Sequence, residues 1–248
     1  AAEAWASRPE DRFEVETPLG PVWFWGRDRG RPVLLLITGT FSEPHVLRGL
    51  RDVLPEIDVW RAHLPGNHCP PLAATSVGVY AAAYSQALAQ RLPERPLVVL
   101  GLSVGALVAL GLRASSIRRM LLVEPPLLTE GLWPLALLRK GAPPSAEEFL
   151  WNVLGVGPDR LEPRDYSALL DTLQTPTRVM LGDELPGEPR DSDVLPSLVT
   201  PPARALLARH PHVRTTTVRG AGHNVPQAAG ATFLDAVTVM GRRAFGGV

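Results

Sequence analysis

A serine stands between two glycines at a spacing that suits a nucleophile: Gly101-Leu102-Ser103-Val104-Gly105. The motif follows an apolar run, Pro96-Leu97-Val98-Val99-Leu100, and opens a small-residue stretch, Ala106-Leu107-Val108-Ala109-Leu110. A strand, a sharp turn and a helix in that order lift the serine hydroxyl above the sheet edge. The glycines leave room where a side chain would strike the neighbouring strand or helix. A serine hydroxyl alone is a poor nucleophile. It needs a base within hydrogen-bond reach and a carboxylate to orient that base. His223, in Gly220-Ala221-Gly222-His223-Asn224, is the best candidate base. It follows the last β-rich run and precedes the last helical one, which places it at the same carboxyl edge of an α/β sheet as Ser103. Such a pair performs acyl transfer through a covalent acyl-enzyme.

The elements that must hold these residues are read from hydrophobic pattern and turn signals. Arg12 to Glu16 and Pro21 to Trp25 predict a short antiparallel pair, turned at Pro18 and Gly20. Pro32 to Ile37 is a continuous apolar run, the mark of a strand buried on both faces. Helices are predicted over Ser42–Val53, Thr75–Arg91, from the serine motif to about Arg113, over Pro202–Arg209, and over Asn224–Phe245. Further strands are predicted at Ile57–Ala62, Ile117–Val123, Thr177–Leu181 and Val213–Val218. Strand–helix alternation implies a mostly parallel sheet covered on both faces. The rhythm breaks over residues 125–172, where prolines and short helical pieces imply an inserted helical lid. Its apolar residues Leu127, Leu128, Leu132, Trp133, Leu135, Leu137, Leu138, Phe149 and Trp151 could line an acyl pocket or pack the insertion onto the core. The Pro-rich, acidic stretch Leu185–Pro202 is the best candidate for a mobile loop.

The 248 residues read as one domain, long enough to bury a large core. With 25 basic and 25 acidic residues, no chain-wide field favours nucleic acid or an anionic membrane. Lys140 is the only lysine, so arginine carries nearly all the positive charge. The single cysteine, Cys69, forbids an intrachain disulfide. No stretch approaches ~18 uninterrupted apolar residues, so no membrane span is expected. The first residues lack a signal-peptide pattern, although the chain does not begin with Met; a cytoplasmic location is the default expectation. His63, His68 and Cys69 fit no standard zinc spacing and are expected to be surface or supporting residues; neither metal nor cofactor is expected.

Together these segments resemble the α/β-hydrolase family, and the resemblance covers nearly the whole chain. It is carried by the Ser103 motif, the His223 loop, Leu64-Pro65-Gly66 and Leu36-Ile37-Thr38-Gly39-Thr40. It implies a sheet of about eight strands flanked by helices, with 125–172 as a small lid. It also implies an oxyanion hole formed by the backbone N–H of Val104 and that of Thr40, with Phe41 as the neighbour that could shift the register. The chain departs from the family at Thr38, where the family usually has histidine. The resemblance implies an acid in the loop after the Thr177–Leu181 strand, Asp183 first and Asp193 as the alternative; Glu124, after the preceding strand, is a third option. The expected activity is serine hydrolysis of a small-molecule carboxylic ester or related acyl substrate. The alternative is a catalytically silent scaffold that binds a ligand or protein, and a hydroxynitrile lyase-like use of the site is a third reading. Oligomeric state is left open.

Overall fold

The computed structural model describes residues 11–132, 144–187 and 194–246. Within them eight strands form one sheet: β1 Arg12–Val15, β2 Val22–Trp25, β3 Val33–Ile37, β4 Asp58–Ala62, β5 Leu97–Leu102, β6 Ile117–Val123, β7 Thr177–Gly182 and β8 Val213–Val218. Their order is β1-β2-β4-β3-β5-β6-β7-β8. The β1–β2 and β2–β4 pairs are antiparallel, and every pair from β4 to β8 is parallel. The helices are α1 Leu50–Val53, α2 Val77–Arg91, α3 Val104–Gly111, α4 Pro144–Phe149, α5 Pro201–Arg209, α6 Val225–Ala228 and α7 Gly230–Phe245.

The apolar runs form central strands because both faces of the sheet are covered. In β3 every residue is buried. Side chains alternate across a strand, so Val33, Leu35 and Ile37 join one core with Trp60, Tyr80 and Tyr84. Leu34 and Leu36 join the opposite core with Phe233 and Val237. Helix α2 begins where Ser76 Oγ accepts from the Val79 amide at 3.2 Å. Helix α7 buries Phe233, Ala236, Val237 and Met240, a stripe of helical period, and stops at Gly246 with φ 63°.

Three expectations need correction. Residues 42–43 are irregular, 44–49 are successive turns, and only Leu50–Val53 is helical. Leu47 adopts φ 52°, which a right-handed helix cannot contain. The terminal helix is two pieces, because Ala229 leaves helical geometry at φ −138° and ψ 53°. The second half of the loop expected to be mobile is packed instead, with Ser197, Leu198 and Val199 all buried. Between β6 and β7 the described chain contains a 3₁₀ turn, Thr129–Leu132, then α4, which continues as a π turn over Leu150–Leu154 and ends at left-handed Gly155. Among the described residues no helix is long and apolar enough to cross a membrane.

The β5–α3 junction has no spare volume. A Cβ on Gly105 would stand 2.4 Å from the carbonyl oxygens of Ile37 and Thr38, and one on Gly101 would stand 2.6 Å from Ala106 Cα. These neighbours are backbone and cannot rotate away. Gly105→Ala is therefore expected to destabilise the protein by about 1–3 kcal/mol, the usual cost of overpacking. A lowered urea midpoint at unchanged m-value checks this.

Candidate active site

Ser103 occupies the turn between β5 and α3 with φ 52° and ψ −121°, a conformation that non-glycine residues avoid. The surroundings hold it there. Its amide donates to Val123 O at 2.8 Å, and its carbonyl accepts from the Ala106 amide at 2.9 Å. The next amide, of Val104, belongs to the first turn of α3, where N–H groups have no intrahelical partner. Gly39 lies against this turn: a Cβ there would come within 3.3 Å of Ser103 Cβ. The loop carrying Thr40 thus runs beside the serine.

His223 sits on the loop between β8 and α6. Its Nδ1 faces Glu124 Oε2 at 3.3 Å, so Nδ1–H donates to the carboxylate and Nε2 is left to accept a proton. Glu124 directly follows β6, is fully buried, and adopts φ 53°. Its carboxylate also accepts from the Gly182 amide at 2.8 Å, the Leu198 amide at 3.1 Å, and the Ser197 hydroxyl at 2.8 Å to either oxygen. Ser103 and His223 line one cavity of about 900 Å³ with Thr40, Phe41, Leu150 and Leu198. No hydrogen bond joins Ser103 to His223 among the described residues; such contacts are often long before substrate binds.

The structure brings Glu124, not Asp183, to the histidine. Asp183 Oδ1 accepts from the Gly220 amide at 2.7 Å, so this carboxylate tethers the histidine loop from its other end. Asp193 lies outside the described residues. Sequence reasoning missed Ser197 and Arg204. Arg204 donates through Nη2 to Ser197 Oγ at 2.7 Å and to Gly182 O at 2.5 Å, and through Nε to Val199 O at 2.9 Å. Nothing in the residue pattern separates this arginine from other helix-surface arginines.

The Thr38 departure also has a structural answer. Thr38 Oγ1 is 3.2 Å from His63 Nδ1, and His63 Nε2 is 3.1 Å from Pro44 O. The ring stands between Thr38, Pro44 and the Arg61 guanidinium, whose Nε donates to His63 Nε2 at 3.3 Å, and so links both ends of the loop. Ser42 Oγ adds a bond to Gly39 O at 3.0 Å, and His68 Nε2 reaches Ser42 O at 3.0 Å. His63 is thus a buried residue beneath this loop. Burial and the Arg61 charge push its pKa down to about 4. Burial pushes the Cys69 thiol up to about 11, and its Sγ lies against the carbonyls of Leu64 and Asn67, an environment for an inert thiol. Among the described residues no group of three or more His, Cys, Asp or Glu could hold a metal ion.

The apolar residues of 125–172 divide by role. Leu132, Leu150 and Leu154 line the cavity. Leu127 is in the core, and Trp151 is covered by the Arg160 and Arg164 guanidiniums at 4.3 and 5.3 Å. Trp133, Leu135, Leu137 and Leu138 lie outside the described residues.

No family model and no curated protein sequence matches this chain. Solved structures do. Carboxylesterase CesB (YbfK) from Bacillus subtilis superposes with a TM-score of 0.67 at 16% identity, covering 98% of this chain and 94% of that one. A mutant of the N-acyl homoserine lactonase AidH, complexed with N-hexanoyl homoserine, gives 0.65 at 16% identity, covering 96% and 98%. A thioesterase domain from the curacin biosynthetic pathway gives 0.65 at 18% identity, covering 93% and 100%. With this sheet order and these neighbours, the chain has the α/β-hydrolase fold.

The buried neutral His63 makes stability depend on pH. Its folded pKa, about 4, lies below the ordinary 6.5, so the unfolded chain takes up this proton first on acidification. The resulting loss of stability begins as pH falls below about 6.5 and is complete only below the folded value. Unfolding free energies from urea titrations at pH 7 and pH 4.5 are expected to fall further for the wild type than for His63→Gln. An equal fall in both proteins would show that His63 is not the group responsible.

Proposed function

We propose that this chain is a serine hydrolase of small-molecule carboxylic esters or related acyl compounds, with Ser103 as nucleophile, His223 as base and Glu124 as acid. One observation carries the reading. A serine held in a strained turn shares a cavity with a histidine whose far nitrogen is bonded to a buried carboxylate. His223 Nε2 takes the Ser103 proton as Oγ attacks the substrate carbonyl, and Glu124 stabilises the imidazolium that forms. The amides of Val104 and Thr40 hold the oxyanion, each such donor being worth ~2.7–4 kcal/mol. Collapse of the tetrahedral species expels the leaving group, which takes its proton from His223. Water activated by the same histidine then releases the acid.

The cavity supports an apolar acyl group, since Leu132, Leu150, Leu154 and Leu198 line it. Residues 125–172 would act as the lid over it. The structural neighbours include a carboxylesterase, a lactonase and a thioesterase, and each of these activities transfers an acyl group to water. The alternative of a silent scaffold rests on the Thr38 departure and on the choice among three candidate acids. The Thr38–His63 link and the Glu124–His223 contact both weigh against it.

Fluorophosphonate labelling followed by intact mass is expected to give a single adduct on the wild type and none on Ser103→Ala. An unlabelled, folded wild type would overturn the reading. With p-nitrophenyl esters, Glu124→Gln is expected to lose at least about 100-fold in kcat/KM, because the amide would disfavour the required tautomer. Asp183→Asn keeps an acceptor for the Gly220 amide and is expected to lose less than about tenfold. The reverse ranking would make Asp183 the acid.

A further inference from the structure

We propose that Arg204 is a positioning residue that sets the basicity of His223 through Ser197 and Glu124. This rests on the Ser103–His223–Glu124 reading and extends it to a fourth and fifth side chain. Ser197 Oγ is almost fully buried. It has one proton to give, which it directs to the Glu124 carboxylate, while it accepts from Arg204 Nη2 at 2.7 Å. The guanidinium polarises the hydroxyl, and the hydroxyl in turn is a stronger donor to the carboxylate. A positive charge is thereby held one hydroxyl away from the acid.

The arrangement is costly enough to need a reason. Arg204 is half-buried, and burial lowers its pKa while the charges of Glu124 and Asp183 oppose that fall. A helix-surface arginine could reach water instead. Here three of its bonds converge on the segment that wraps the acid: Val199 O, Gly182 O and Ser197 Oγ. The charged or titratable groups around Glu124 are His223 from the β8–α6 loop, Arg204 from α5, and Asp183 and Glu184 beyond β7. Arg204 is the one fixed cation among these described neighbours. Its charge draws on the same carboxylate that stabilises the imidazolium, so it makes His223 less basic than Glu124 alone would.

The test is the pH dependence of the second-order rate of fluorophosphonate inactivation, which needs no knowledge of the natural substrate. In Arg204→Met and Ser197→Ala the acid limb is expected to move up by roughly half a pH unit to one unit. In Arg204→Lys, which keeps the charge, it is expected to stay near the wild-type position. A merely structural role would lower the melting temperature of Arg204→Met and leave the limb in place; that result overturns the proposal. Should Arg204→Met fail to fold, Ser197→Ala decides, since an unmoved limb in that folded variant also overturns it. A wild type that does not react at all is a different outcome, because it removes the serine hydrolase reading and this inference with it.

Discussion

The site depends on the cost of burying one carboxylate. Glu124 is fully inside the protein at the end of a central strand, where an unpaired charge would be prohibitively expensive. Four donor groups meet it: two backbone amides, one hydroxyl and the His223 ring. They come from three different segments: the end of β7, the chain before α5 and the loop after β8. Each segment must therefore stop at a defined place for the carboxylate to be satisfied. Hydrogen bonds to a charged group contribute about 1.5–3 kcal/mol each. The same interactions that tolerate the charge also fix the orientation of the base.

Close backbone packing supplies the remaining precision. A Cβ on Gly182 would stand 2.1 Å from Ala221 O, and one on Gly222 would stand 2.0 Å from Leu195 O. The histidine loop is thus pressed between the end of β7 and the segment before α5. The His223 amide donates to Leu195 O at 2.9 Å, and Asp183 fixes Gly220. On the other side, Gly39 and Gly105 let the Thr40 loop and α3 approach the serine turn. Ser103 and His223, the proposed nucleophile and base, therefore stand on backbone that has little freedom to drift, which is what positioning chemistry requires.

The strands, their mostly parallel arrangement and the serine turn were legible because they rest on local signals. Buried strands need unbroken apolar runs, and the turn needs its glycines. The acid was not legible in the same way. Asp183, Asp193 and Glu124 all follow β-rich runs, and a carboxylate's partner is decided by tertiary reach. Glu124 is the longer side chain and starts from the more central strand, β6, so it can pass under the histidine. Asp183 has an amide at hand and bonds to it. Arg204 was invisible for a related reason: its role depends on a hydroxyl seven positions earlier that folds back across the strand ends. The Ser42–Val53 helix failed because loop anchoring by Ser42, Pro44 and His63 overrides local helical preference.

On the proposed function, residues 194–199 tie substrate choice to catalytic power. Val194, Leu195 and Leu198 form part of the cavity wall. In the same six residues, Leu195 O receives the His223 amide, while Ser197 Oγ and the Leu198 amide bond to Glu124. The cavity wall and two of the donors to Glu124 thus lie on one short piece of chain, pinned from outside by Arg204. A larger or smaller side chain at Leu198 changes the space for an acyl group and also shifts the amide that steadies the acid. The cavity wall contributed by Leu132, Leu150 and Leu154 carries no such burden, because none of these side chains lies on a segment that bonds to Glu124 or His223. On the proposed function, variation in acyl preference can therefore accumulate on that side at little catalytic cost, while the segment before α5 is constrained by both tasks at once.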